Sequence, residues 1–335
     1  MPPNILLVRF SAIGDILLLT PLVRALRRRH PGARITVVTR AAFAPLLTHN
    51  PHLTAVVGWD PLTPLAELGR GLKLRDFTHR LDLHGSLRSH ALRRSIGGRW
   101  TTYPKHRVAR TILIHTRRDL YRDRRPVVER YFDAARELDV QPDAGSLEVF
   151  LSRAELDGAQ TFLSSRGLGH ARQLIAIAPG AAHFTKRWPP HHWVALVRQL
   201  VEAGNDVVAL GGPDDLGIAE VAAAAGEEHA TSAAGAFDLL GSAALLKRAR
   251  ALVSGDTGLM HLATAVETPV VALFGPTVEQ FGFFPYHAKA SVLQRELGCR
   301  PCSSHGGPAC PLKHHRCMQD LQPSDVLEAL RRLPR

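Results

Sequence analysis

Short runs of aliphatic and β-branched residues alternate with stretches whose apolar positions recur every three or four residues, along most of this 335-residue chain. In the first half, residues 4–10, 34–39, 55–59 and 80–83 read as strands, with an amphipathic helix at 16–29. Residues 151–170 hold one amphipathic helix and a glycine-containing turn, Arg166-Gly167-Leu168-Gly169, and then the scheme restarts. Its strands fall at 174–178, 206–210, 251–254 and 270–274, and its helices at 191–203, 238–248 and 257–266. A last helix, 323–333, opens on Pro323-Ser324-Asp325 with Ser324 or Asp325 as its cap. Strands alternating with helices predict parallel sheets covered on both faces. The expected fold class is α/β: two Rossmann-like, doubly wound domains facing across a central cleft. The expected division is 1–165, 170–320 and a C-terminal helix within 321–335 that packs back on the first domain.

Composition narrows the setting. The opening apolar run is short, is interrupted by Arg9 and leads straight into Gly14-Asp15, so it reads as a strand rather than a secretory signal. No window offers the ~20 apolar residues of a membrane-spanning helix. All four cysteines, Cys299, Cys302, Cys310 and Cys317, lie near one end and cannot frame the whole chain with disulfides, which fits a reducing, cytoplasmic location. The net charge of +12 predicts an anionic partner. Much of that charge falls between Arg88 and Arg130, where thirteen basic residues face only Asp119, Asp123 and Glu129. A solvated basic face would look the same. No zinc finger, RNA-recognition motif or basic zipper accompanies the charge, so nucleic acid is not the expected partner.

Four places can carry chemistry. Asp15 follows the first strand at a helix start, where a carboxylate either caps the helix or accepts a proton from a hydroxyl nucleophile; local sequence alone favours the cap. The loop Gly180 to Pro189 follows the first strand of the second half, with small residues that let backbone approach an anion and with Thr185 and Lys186 to meet phosphate oxygens. It is neither a Walker loop nor a dinucleotide fingerprint, and Trp188 within it reads as core. The run Ser254-Gly255-Asp256-Thr257-Gly258-Leu259-Met260-His261 takes a strand directly into a helix. The N–H groups at Thr257 and Gly258 suit a diphosphate, and His261 stands about one turn further on. Asp256 is anomalous there unless it caps the helix or binds a hydroxyl or a cation. Last, Gly211-Gly212-Pro213-Asp214-Asp215 follows another strand and offers a carboxylate for ribose hydroxyls, or a plain turn.

Taken in order, Gly14-Asp15-Ile16-Leu17 with Thr20-Pro21, Thr185-Lys186-Arg187-Trp188-Pro189, Asp256 to His261, and Phe274-Gly275-Pro276-Thr277 resemble the family-nine glycosyltransferases, best known as ADP-heptose:lipopolysaccharide heptosyltransferases. The resemblance spans nearly the whole chain. It implies a GT-B architecture, with an acceptor-binding N-terminal domain and a donor-binding C-terminal one, an inverting mechanism and no cofactor or catalytic metal. Carried over by position, Asp15 is the base and Lys186 neutralises the leaving diphosphate. Thr185, Thr257, Gly258 and His261 hold phosphates, Asp256 lies near the donor sugar or phosphates, and Asp215 matches the ribose-binding acid more weakly. The expected partners are a nucleotide-sugar donor, ADP-heptose, and a phosphorylated Kdo-lipid A acceptor at the inner membrane, met by a peripheral monomer. Arg88, Arg117, Arg118 and Arg122 are the acceptor candidates.

Other readings keep the family and change the sugar or acceptor, or make the chain a nucleotide-sugar-binding module without catalysis; only a catalyst needs Asp15. The cysteine segment also contains His305, His314 and His315, a set that can bind zinc. Six residues separate Cys310 from Cys317, too many for a standard knuckle, so a structural loop with free thiols is expected.

Overall fold

The computed structural model describes residues 1–334. Two compact units emerge: Met1–Lys105 with Arg125–Phe150, and His106–Arg124 with Leu151–Arg335.

Among the described residues, the first unit is built on a five-stranded parallel sheet. Its strands are β1 (Asn4–Val8), β2 (Arg34–Arg40), β3 (Ala55–Trp59), β4 (His79–Asp82) and β5 (Thr101–Thr102), in the order β3-β2-β1-β4-β5. The expected helix at 16–29 is divided into Ile13–Leu17 and Thr20–Arg29, with Pro21 in the first turn of the second piece, where its missing N–H costs nothing. Strand β1 is apolar on both faces because helices cover both; Ile5, Leu6 and Leu7 are fully buried.

The second unit carries a six-stranded parallel sheet, β6 (Gln173–Ala178), β7 (Asn205–Ala209), β8 (Ala230–Ser232), β9 (Ala251–Gly255), β10 (Val270–Phe274) and β11 (Ala290–Gln294). Its order is β11-β10-β9-β6-β7-β8, so the chain winds outward from β6 in one direction and then from β9 in the other. In both sheets the winding reverses between two neighbours, β1 and β4 or β6 and β9. The loops leaving the carboxyl ends of those strands flank the switch point, where doubly wound folds bind ligands.

Two expectations about domain limits change. The second unit begins at Leu151 and also takes in His106–Arg124. Leu113 and Tyr121 pack against Phe281, and the Arg110 guanidinium lies 5.2 Å from the centre of the Phe281 ring. The helix Arg153–Ser164, placed by sequence in the first domain, buries Ala159 and Leu163, and Phe162 meets Phe237 edge-on at 5.1 Å. The final helix, Pro323–Arg332, expected to pack on the first domain, belongs to the second unit. Its apolar face, Val326, Ala329 and Leu330, joins the second core with Trp188 and Trp193, and the Trp188 indole donates to the Leu321 carbonyl at 2.9 Å. An amphipathic helix follows the nearest unpartnered apolar surface. No helix among the described residues is long and apolar enough to cross a membrane.

Candidate active site

In the first unit the loops after β1 and β4 meet at the reversal point. Asp15 lies in the first turn of the short helix Ile13–Leu17, whose cap position is Ala12. One carboxylate oxygen accepts the Ala12 N–H at 3.2 Å and pairs with the Arg9 guanidinium, whose side chain is 8% exposed. Arg9 also donates to the Leu83 carbonyl at 2.6 Å, which ties the β1 loop to the β4 loop. Burial alone would lower the Arg9 pKa, but Asp15, Tyr131 and Tyr103 together outweigh it and the guanidinium is held above its ordinary value. The β4 loop is shaped by Asp82, fully buried, which accepts the N–H groups of His84 and Gly85 at 2.9 and 2.8 Å. Lys105 donates to the His84 carbonyl and, at 3.3 Å, to that of Gly85. Burial first, then the charges of Arg9 and Lys105, push the His84 imidazole down to about 4. Asp15 is thus a capping carboxylate and also the partner of a buried cation.

In the second unit the loops after β6 and β9 meet in the same way. The 3₁₀ turn Phe184–Lys186 presents Lys186, whose Nζ lies 2.8 Å from Asp256 Oδ2. Thr277 donates to the same oxygen at 2.8 Å. Asp256 therefore does not cap the helix Gly258–Ala265; the cap position is Thr257, whose hydroxyl is 3.0 Å from that of Ser254. Nothing from a side chain caps this helix, so its first N–H groups keep their capacity for an anion. His261 is buried within the first turns of the helix, three residues past Gly258 and on the same face. Thr185 is buried and spends its hydroxyl inside the chain: Gly307 N–H donates to it at 2.8 Å.

A cavity of about 480 Å³ lies beside the Phe184–Lys186 turn, with Gly180, Phe184, Trp188, Asp214 and Asp215 in its wall. Asp215 Oδ2 accepts the Gly212 N–H at 3.0 Å, and the rest of the carboxylate rests on Gly180. A Cβ at Gly180 would stand 1.9 Å from Asp215 Oδ1, so any side chain there would displace the carboxylate. The 180–189 loop and the Asp215 turn are in this way parts of one pocket.

Sequence reading missed Arg9, His84, Lys105 and Thr277. Arg9 had a signal, a charge inside an apolar strand. Thr277 stood in a recognised motif without a role, and His84 and Lys105 owe their place to strand order. The proposed acceptor arginines are not all in one unit. Arg88 is exposed on the first unit, in the opening turn of the helix Leu87–Ile96. Arg117, Arg118 and Arg122 belong to the second, where Arg117 donates to the Gly298 carbonyl at 3.2 Å and Arg118 and Arg122 are exposed. The four cysteines are free thiols, and no group of three or more His, Cys, Asp or Glu among the described residues is disposed to hold a metal ion. Burial pushes the Cys317 thiol up to about 11.

Two doubly wound units, each with charged loops at its reversal point, define a GT-B glycosyltransferase, and solved structures share that fold. The family 9 glycosyltransferase from Veillonella parvula superposes with a TM-score of 0.82 at 24% identity, over 99% of this chain and 97% of its own. E. coli ADP-heptose lps heptosyltransferase II gives 0.77 at 28% identity, covering 98% of both chains. The lipopolysaccharide heptosyltransferase 2 of Salmonella typhimurium is 30% identical over 98% of each sequence. The model of glycosyltransferase family 9 (heptosyltransferase) matches residues 65–312, and the chain belongs to that family.

Proposed function

We propose that the enzyme transfers heptose from ADP-L-glycero-D-manno-heptose to the inner core of lipopolysaccharide, with Kdo-lipid A as acceptor and with inversion at the anomeric carbon. The sugar and acceptor are suggested by the relatives' names, since lipopolysaccharide heptosyltransferase 2 aligns over nearly its whole length. The observation that carries the donor half is the Lys186–Asp256–Thr277 cluster beside an uncapped helix start. There the diphosphate takes the helix N–H groups of Gly258 and its neighbours, with Lys186 as counter-cation and His261 and Thr257 alongside. Thr185 acts through its backbone and by fixing the loop, and Asp215 meets the ribose hydroxyls from the wall of the cavity.

In the acceptor half, Asp15 takes the proton of the attacking hydroxyl. The new bond forms from that oxygen to the anomeric carbon as the bond to the diphosphate breaks, and the electron pair leaves with the diphosphate. Arg9 holds the carboxylate in place. Lys186 and the helix N–H groups supply the positive charge the leaving group needs, so the reaction requires no metal. Arg88, Arg118 and Arg122 serve the acceptor's phosphates at the membrane surface, with the enzyme a peripheral monomer.

The test is to incubate the protein with a panel of nucleotide sugars and Kdo-lipid A, with and without chelator, and to weigh the product. One added heptose, only from ADP-heptose and undiminished by chelator, is expected. Transfer from a different donor alone would overturn the sugar assignment, and abolition by chelator would overturn metal independence.

A further inference from the structure

The segment 298–317 has no part in the transfer chemistry above, yet it grips both loops that carry the donor site. Arg300 donates from Nε to the Gly275 carbonyl at 2.5 Å and from Nη2 to the Thr277 carbonyl at 2.9 Å. Its remaining donors meet the Arg295 carbonyl at 2.6 Å and the Gln294 side-chain oxygen at 2.9 Å. Two residues on, the Cys302 N–H donates to the Pro276 carbonyl at 3.2 Å. Every carbonyl of the turn Gly275-Pro276-Thr277 is therefore held by this one stretch. At the other loop, Thr185 N–H donates to the Gly307 carbonyl at 3.2 Å, and His315 Nε2 lies 3.2 Å from the Thr185 carbonyl.

We infer that Arg300 is a positioning residue of the donor site, which fixes the 275–277 turn so that the Thr277 hydroxyl holds Asp256 and Asp256 in turn holds Lys186. The inference rests on the donor-site reading given above. A lysine can replace one of these bonds but not the planar fork that reaches Gly275 and Thr277 together. Burial lowers the pKa of this guanidinium, and the carbonyls it meets compensate for its lost hydration. Arg250, by contrast, donates to the Leu330 carbonyl at 3.2 Å and ties down only the C-terminal helix.

The experiment titrates ADP alone into the full-length protein by calorimetry. Arg300→Met is expected to weaken ADP binding and raise the donor KM by about tenfold to a hundredfold, the size of effect that follows an ångström of misplacement. Arg300→Lys should restore part of the loss, whereas Arg250→Met should lower Tm without changing ADP affinity. Thr277→Val should weaken ADP binding too, and the double variant Arg300→Met/Thr277→Val should be no worse than the weaker single variant, because both act along one path. Unchanged ADP affinity in Arg300→Met, or losses that multiply in the double variant, overturns the inference. If Arg300→Met does not fold, Thr277→Val decides, and unchanged affinity there overturns it. Lys186→Ala separates the two readings. If it leaves ADP binding intact, the donor site itself is misplaced and the inference falls with it; if it weakens binding while Arg300→Met does not, only the role of Arg300 falls.

Discussion

A carboxylate beside a diphosphate repels it, and Asp256 stands at the start of a helix that would otherwise attract one. Its contact with Lys186 at 2.8 Å, with Thr277 donating to the same oxygen, shows how the conflict is resolved: the carboxylate orients the cation. Arg9 does the converse for Asp15, a buried cation orienting a carboxylate. His84 shares that pocket, and its low pKa makes it a reporter of the pocket's charge. The unfolded chain binds a proton there below the ordinary 6.5, while the folded chain resists until about 4, so stability falls as pH drops through that window. Urea midpoints on either side of it should differ more for the wild type than for His84→Gln. Equal acid sensitivity in both would show that His84 is not held neutral by burial and by Arg9 and Lys105.

Between elements, the working contacts are made by loops at strand ends, and there the sequence was only partly legible. Strand β3 was placed without error, because an apolar run bounded by turn residues is a local property. The order of strands is not local. Nothing within residues 79–105 announces that His84 comes beside Asp15 and Lys105 beside His84, since β4 lies next to β1 only through the winding of the sheet. The short strands β5 and β8 and the half-buried edge strand β11 escaped for a related reason: they lack a buried face strong enough to pattern the sequence. Among the proposed donor residues, Lys186, Asp256, Thr257 and Gly258 were legible as residues, but their partners were not. The contact of Gly180 with Asp215 joins two loops and can be tested at this scale. Gly180→Ala places a methyl where the Asp215 carboxylate now rests and should weaken ADP binding by roughly tenfold, the worth of one hydrogen bond to a charged group. Thermal stability should hardly change, because the Asp215 side chain can swing away. Full ADP affinity in that variant would remove Asp215 from the donor site.

At the scale of the whole molecule, charge and division of labour matter most. A net charge of +12, with exposed Arg88, Arg118 and Arg122, suits an anionic surface, and screening over about 8 Å at physiological salt makes such attraction salt-sensitive. Vesicles rich in anionic phospholipid should bind the protein at low salt and release it as salt rises, and Arg118→Glu with Arg122→Glu should weaken the binding. Equal binding to neutral vesicles would contradict this. The candidate base lies on one unit and the proposed diphosphate cradle on the other, so the two halves of the proposed reaction can be lost separately. The decisive measurement is therefore transfer by Asp15→Asn at saturating donor, with ADP affinity measured on the same preparation. Transfer should fall by about 10²–10⁴-fold, the usual worth of a general base, while ADP affinity stays at the wild-type value. Transfer at the wild-type rate would contradict the central assignment, that Asp15 is the base of this family 9 transferase.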